Sequence, residues 1–338
     1  MAAVATAMKR FDKATLIAFG CIVLLLALGA IAEPNILSPD YLLQQLQTAS
    51  FLGVIATGVM LVILLGHIDL SIPWTIAIGG MMATGLAGFL QRLGLDPGWG
   101  VPLAIPFGIL CGIAVGLVNG IGVAYLRAPS MIFTLGMNAV AQGLMVAHTG
   151  GFAPQNRATP FMRELAAGRL IPWVPNPLLI WLAVGAATVF VLTRTTLGRQ
   201  IYAIGNKERA VFLSGVDTRR VLLICFAISG GCAAAGGVLL AGWANASFQA
   251  MGDPYLLQTI AAIVLGGTNV LGGRGTYLGT VAGVILITLL QSILSVLQPE
   301  QFFTDLGYRV PAEVFRQIAF GIVIIAMLML YGRERLSR

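Results

Sequence analysis

Charge is the scarcest property of this chain. Of its 338 residues only 10% are Asp, Glu, Lys or Arg, while 58% are hydrophobic and mean hydropathy is +0.90. A soluble domain carries about a quarter charged residues, so an ordinary water-soluble enzyme is excluded. Histidine occurs twice, as His67 and His148, too far apart for a local metal motif. The four cysteines (Cys21, Cys111, Cys225, Cys232) lie inside apolar runs without metal-ligand spacing and read as small packing residues. No metal site is expected. The sequence contains no G-x-x-x-x-G-K-[ST] phosphate loop, no H-E-x-x-H and no G-x-S-x-G. The chain is therefore expected neither to hydrolyse ATP itself nor to carry catalytic or cofactor-binding residues. Its excess of 20 Lys+Arg over 13 Asp+Glu lacks a dense basic block with interleaved aromatics, so membrane topology explains it better than nucleic acid.

Long apolar runs are abundant. About 20 apolar residues fill a hydrocarbon core, and ten such stretches occur near 14–32, 46–66, 72–90, 101–126, 131–148, 178–193, 220–243, 256–272, 276–297 and 314–331. Their length and their Leu, Ala and Gly content suit helices and not the short alternating strands of a barrel. The expected fold is an all-α polytopic membrane protein with about ten transmembrane helices, an eight-span version being the main rival. Ala30-Ile31-Ala32 before Glu33 resembles a cleavage site, but the apolar stretch is long for a signal peptide and reads as a span. With the N-terminus inside, the inner segments hold 14 Lys+Arg and the outer ones 6, which places both termini in the cytoplasm. The division is a cytoplasmic tail over 1–13, a membrane domain over 14–331 and a second cytoplasmic tail over 332–338.

Two connections stand out by length. Residues 149–177 would lie outside, with a short surface helix near Phe161–Arg169. Residues 194–219 would lie inside and hold a two-turn helix over about 207–214, with Asn206 as N-cap, Glu208 in the first turn and Gly215 as the stop. That helix is either a basic anchor or a docking element for a cytoplasmic partner.

Membrane physics singles out a few polar residues. Asp69 sits in Gly66-His67-Ile68-Asp69-Leu70-Ser71, followed by Pro73, between two apolar runs. It either caps the helix starting near Ile72 or contributes an ionisable group to a pathway. A second break, Leu265–Gly275, contains Asn269, and Ile63–Asp69 matches Ile263–Asn269 at three positions with Asp69 opposite Asn269. Asn119, Asn138, Gln142, Gln258 and Gln291 lie within spans, as interhelical glue or as lining of an aqueous path. Thr134, Asn138 and Gln142 share a helix face and suit a polyhydroxylated solute better than an ion. The small-residue clusters Gly112–Gly116 and Ser229–Gly237 predict close helix packing.

The stretch Leu197–Leu297 resembles the permease subunit of ribose-type monosaccharide ABC importers. Gly66-His67-Ile68-Asp69-Leu70-Ser71 is similar to that family's G-x-I-D-L-S element, and Gly116–Gly120 and Thr134–Met137 with Gly143-Leu144 are similar to further family segments. The resemblance runs over about residues 45–330. It implies a pair of permeases in the bacterial inner membrane, formed with an identical or a different second copy. It also implies two cytoplasmic ABC ATPase subunits that bind the ATP, and a periplasmic sugar-binding protein. The 194–219 loop would then dock on the ATPase, with Gly205, Asn206, Lys207, Glu208, Arg209, Ala210, Ser214 and Gly215 as the coupling residues. Candidates for the translocation path are Asp69, Asn119, Thr134, Asn138, Gln142, Gln258 and Asn269, and segments 149–177 and 244–255 are candidates for receiving the binding protein. The chain departs from the family in Ile72-Pro73-Trp74 after the Asp-Leu-Ser element and in Tyr255-Leu256-Leu257, which lacks the family's acid. Rival readings are an ion-coupled secondary transporter using Asp69, an ABC permease for a branched amino acid, and an intramembrane enzyme limited to His67, Asp69 and His148.

Overall fold

In the computed structural model, the described residues are 13–94, 97–151 and 156–296, with isolated helical positions at Val314, Ile318, Gly321, Ile322 and Ile325. The tails and most of the tenth apolar run lie outside them. Among the described residues the chain forms eleven α-helices and no strand. They are α1 (Lys13–Ala32), α2 (Pro39–Leu64), α3 (Ile72–Arg92), α4 (Pro97–Ala124), α5 (Ser130–His148), α6 (Pro160–Ala167), α7 (Asn176–Arg194), α8 (Thr196–Leu213), α9 (Thr218–Trp243), α10 (Tyr255–Leu265) and α11 (Tyr277–Val296).

Local chemistry sets the helix starts. Ser38 accepts the Tyr41 amide and Thr159 the Met162 amide, each with proline in the first turn. Asp217 accepts the Arg220 amide and pairs with the Arg220 guanidinium at 2.8 Å. Among the described residues, seven helices are long and apolar enough to cross a membrane: α2, α3, α5, α7 and α9 in full, and the Leu103–Ala124 and Tyr277–Ser295 parts of α4 and α11. The chain is a multi-pass membrane protein. The run expected as a full span at 256–272 is helical only over α10, and eleven residues rise about 16 Å, half of a bilayer core.

Helix α9 is the centre of the bundle, flanked by α4, α2 and α3. Glycine makes that arrangement possible. A Cβ on Gly230 would strike the Gly112 carbonyl, one on Gly116 the Phe226 carbonyl, and one on Gly237 the Ile76 carbonyl. The two small-residue clusters thus bring α9 into backbone contact with α4 and α3, as the sequence predicts. Helix α11 packs on α10, α1 and α2, and α7 lays Trp181 over Gly53 of α2.

The segment between α9 and α10 lies only partly on the surface. Ser247 bonds Thr84 at 2.8 Å, Met251 packs on Gly80, and Gly252 lies against the Pro73 carbonyl, so this segment descends along α3 into the bundle. Ser247, Met251 and Gly252 are buried. Ala244, Asn245, Phe248, Ala250, Asp253 and Pro254 are exposed, so part of the expected receiving segment 244–255 faces outward and part is buried.

Candidate functional site

Two interrupted regions carry the polar chemistry. The first follows α2. Leu65 closes the helix, Gly66 adopts φ +83°, and the His67 amide reaches back to the Val62 carbonyl at 3.2 Å. This is the left-handed stop that glycine permits. The chain then runs without regular structure to Ser71, and a backbone of this kind inside a membrane bundle needs internal partners.

Helix α5 supplies them. The Ser130 hydroxyl accepts the Ile68 amide at 3.3 Å, Thr134 accepts the Leu70 amide at 2.9 Å, and the Asn138 carbonyl oxygen accepts the Trp74 amide at 3.3 Å. Three polar residues spaced by four thus satisfy three free N–H groups, those of Ile68, Leu70 and Trp74, on the neighbouring segment. The next residue of that stripe, Gln142, is exposed and takes no part in this row. Ser130 belongs to the same spacing and could have been read from it.

Asp69 is 1% exposed. One of its carboxylate oxygens accepts both the Ser71 amide at 3.0 Å and the Ser71 hydroxyl at 2.7 Å, and the other accepts the Ser229 hydroxyl of α9 at 3.1 Å. Asn119 of α4 donates to the Ser71 hydroxyl at 2.7 Å, while its own carbonyl oxygen is buried with no partner among the described residues. The reading of Asp69 as cap of the helix starting near Ile72 is corrected here. Its carboxylate bonds two residues ahead and across to α9, and α3 is capped from outside by Asn138. Ser71, which ends the G-x-I-D-L-S-like element, and Ser229, which opens the second small-residue cluster, complete this network.

The second interrupted region follows α10 and ends the same way. Gly267 has φ +93°, and the Thr268 amide returns to the Ile263 carbonyl at 3.2 Å. Gly66 therefore corresponds to Gly267 and not to Gly266, so Asp69 is not the counterpart of Asn269. Asn269 instead shapes a tight loop: its amide donates to the Arg274 carbonyl at 2.8 Å, its carbonyl accepts the Gly272 amide, and its side chain accepts the Leu271 amide. Gln258 lies half-buried on α10. Neither residue joins the network around Asp69.

The two regions touch. The Gly273 amide donates to the Leu64 carbonyl at 2.9 Å, filling a position that the end of α2 leaves open. Helix α8 reaches the same spot. Gly205 packs so closely on the Leu64 carbonyl and the Gly273 amide that no Cβ would fit. The Asn206 amide donates to the Gly273 carbonyl at 3.3 Å and the Tyr202 carbonyl at 2.8 Å, and the Tyr202 hydroxyl donates to the Gly275 carbonyl at 2.9 Å. Burial pushes the Tyr202 phenol up to about 12, so it stays a donor at any ordinary pH.

Helix α8 turns at Lys207, whose backbone is extended (φ −162°, ψ 84°). Asn206 is thus not the N-cap expected from the sequence. It donates to carbonyls as the terminus of the first arm, and the second, shorter arm begins beyond Lys207. That arm ends as predicted, with Gly215 at φ +87° and the Val216 amide returning to the Val211 carbonyl. Lys207, Glu208, Arg209, Ala210, Phe212, Leu213 and Ser214 are exposed. The Thr218 hydroxyl lies 3.4 Å from the Glu208 carboxylate, and His67, packed near Phe226, is lowered in pKa by burial while Glu208 pulls it back up.

Known proteins place this arrangement. Residues 41–330 match the family described as "Branched-chain amino acid transport system / permease component". The ribose import permease protein RbsC of Escherichia coli K12 is 31% identical over 302 residues, covering 87% of this chain and 91% of that protein. RbsC of Haemophilus influenzae is 29% identical over 84% of this chain and 86% of its own length. The autoinducer 2 import system permease protein LsrC of Escherichia coli O9:H4 is 30% identical over 93% and 85%. No solved structure matches. With the match spanning the bundle from α2 to α11 and both interrupted regions, this chain belongs to the permease family of these import systems.

Proposed function

We propose that the chain is the membrane-spanning permease subunit of an ATP-driven importer that moves a monosaccharide or a related polar solute. The observation that carries this reading is the short exposed arm over 208–213, which projects from an elbow whose base is bonded to the second interrupted region and packed on the end of α2, where the first begins. A docking helix for a cytoplasmic ATPase needs that form: an exposed face of mixed charge on a rigid mount. Relatives named for ribose and autoinducer 2 favour a polyhydroxylated solute over the branched amino acid of the family description. Neutral amide and hydroxyl groups near the first interruption agree with such a cargo.

In this reading about ten spans cross the bacterial inner membrane with both termini in the cytoplasm. Lys207, Glu208, Arg209, Ala210, Ser214 and Gly215 meet the ATPase, while Gly205 and Asn206 mount the arm. ATP binds to the partner ATPase. A periplasmic binding protein delivers solute near 149–177, where α6 forms the expected surface helix over Pro160–Ala167, and a second permease completes the pathway. Asp69, Asn119, Thr134 and Asn138 shape the interrupted segment beside the path, and Gln142 and Gln258 face it.

The test is the double substitution Glu208→Lys with Ala210→Asp. Uptake in reconstituted vesicles should vanish while the protein stays inserted at normal amount. Normal uptake, or failure of cross-links from Lys207 to capture an ATPase in native membranes, would overturn the proposal. Uptake by the chain alone on a proton or sodium gradient would establish the ion-coupled rival.

A further inference from the structure

The contact between the elbow of α8 and the loop after α10 joins α8, the end of α2 and the start of α11 through two side chains and one backbone amide. Asn206 holds the Gly273 carbonyl; the amide of the same Gly273 holds the end of α2 at Leu64; and Tyr202, one turn earlier on α8, holds Gly275 just before α11. Backbone contact of Gly205 with Leu64 and Gly273 leaves no slack in this junction. The first arm of α8 is anchored below it by buried Gly198, Ile201 and Ile204. Only past Lys207 does the helix leave the bundle.

Resting on the permease reading above, we propose that Asn206 is a positioning residue for energy coupling. Its amide locks the elbow to the Gly272–Gly275 loop, so that displacement of the docking arm reaches the end of α2 and the α10–α11 loop as one movement. The role is mechanical and internal. Asn206 would act through the loop it holds and not by touching the ATPase or the solute.

The lock predicts a distance that stays constant while others change. Spin labels on Arg209, in the docking arm, and Leu271, which is 81% exposed at the loop tip, report the two sides of the junction. In the complex of the full chain with its ATPase, MgATP with vanadate should move both labels relative to one on exposed Leu93, at the end of α3. The 209–271 distance itself should stay fixed. Asn206→Asp, which places a carboxylate against two carbonyls, should broaden that distance and lower ATP hydrolysis coupled to the loop movement by about tenfold. Tyr202→Phe, which adds no charge and removes one bond, should loosen the same distance to a smaller degree, and Asn206→Ser, which keeps one donor, should restore part of it.

A 209–271 distance that changes on vanadate trapping in the native chain, or that stays fixed in Asn206→Asp, overturns the inference. Loss of ATPase binding in both Asn206→Asp and Tyr202→Phe overturns it too, since that would make the junction part of the docking contact. Failure of the native chain to hold any ATPase would instead defeat the underlying permease reading.

Discussion

The two interrupted regions begin alike and are held in opposite ways. Each helix stops on a glycine in the left-handed region, with the next amide returning to the carbonyl five residues back. Beyond that point, the segment after α2 is clasped by side chains from three other helices: Ser130, Thr134 and Asn138 of α5, Asn119 of α4 and Ser229 of α9. The segment after α10 is shaped mostly by its own backbone and by glycines at 272, 273 and 275. One interruption is fixed by polar side chains from three helices, the other by glycines that let α8 come close enough for Asn206 and Tyr202 to hold its backbone. The first is therefore most sensitive to loss of a hydrogen bond, and the second to gain of a methyl group.

That contrast can be broken from either side. The largest effect is expected at Asp69→Leu, which strands the Ser71 amide and two hydroxyls in the interior and should cost about 3 kcal/mol, read as a drop in the unfolding midpoint in detergent. Asp69→Asn should cost about 1 kcal/mol or less, because one carbonyl oxygen can keep both Ser71 bonds and Ser229 can turn to accept; a loss of uptake out of proportion to that change would show that the charge itself matters. Gly273→Ala adds a Cβ at φ +74° within 2.7 Å of the Asn206 side chain. It should cost about 2 kcal/mol, a penalty that Asn206→Ala partly relieves in the double variant. Asn138→Leu removes the acceptor for the Trp74 amide and should cost about 1 kcal/mol. Leu271→Ser should stay within about 0.5 kcal/mol in the same measurement, because that side chain is almost wholly exposed.

Much of this was legible in the sequence because it depends on composition. Apolar runs located the long helices, and small-residue clusters announced close helix packing, which the structure realises between α9 and both α4 and α3. Gly215 marked a helix end that the structure keeps. What was not legible depends on which segments meet. Asn206 has the composition of an N-cap, and only the proximity of Gly273 turns its amide into a donor to carbonyls. Asp69 has the position of a cap, and only Ser229, 160 residues away, makes it a cross-brace. The half-length of α10 was hidden because the apolar run continues through glycines, which hydropathy does not separate from helix. The inward course of 244–254 was hidden for the same reason: Ser247 and Gly252 look like surface-loop residues until Thr84 and Pro73 are seen beside them.

The cap that Asn138 lends to α3 has a consequence for how such a bundle can rock. Helix α5 is otherwise the most peripheral of the long helices, yet the first turn of α3 is completed only while α5 stands beside it. Withdrawing α5 alone would bare three amides in an oily interior, so the two helices are obliged to travel as a pair, and any hinge must lie outside them.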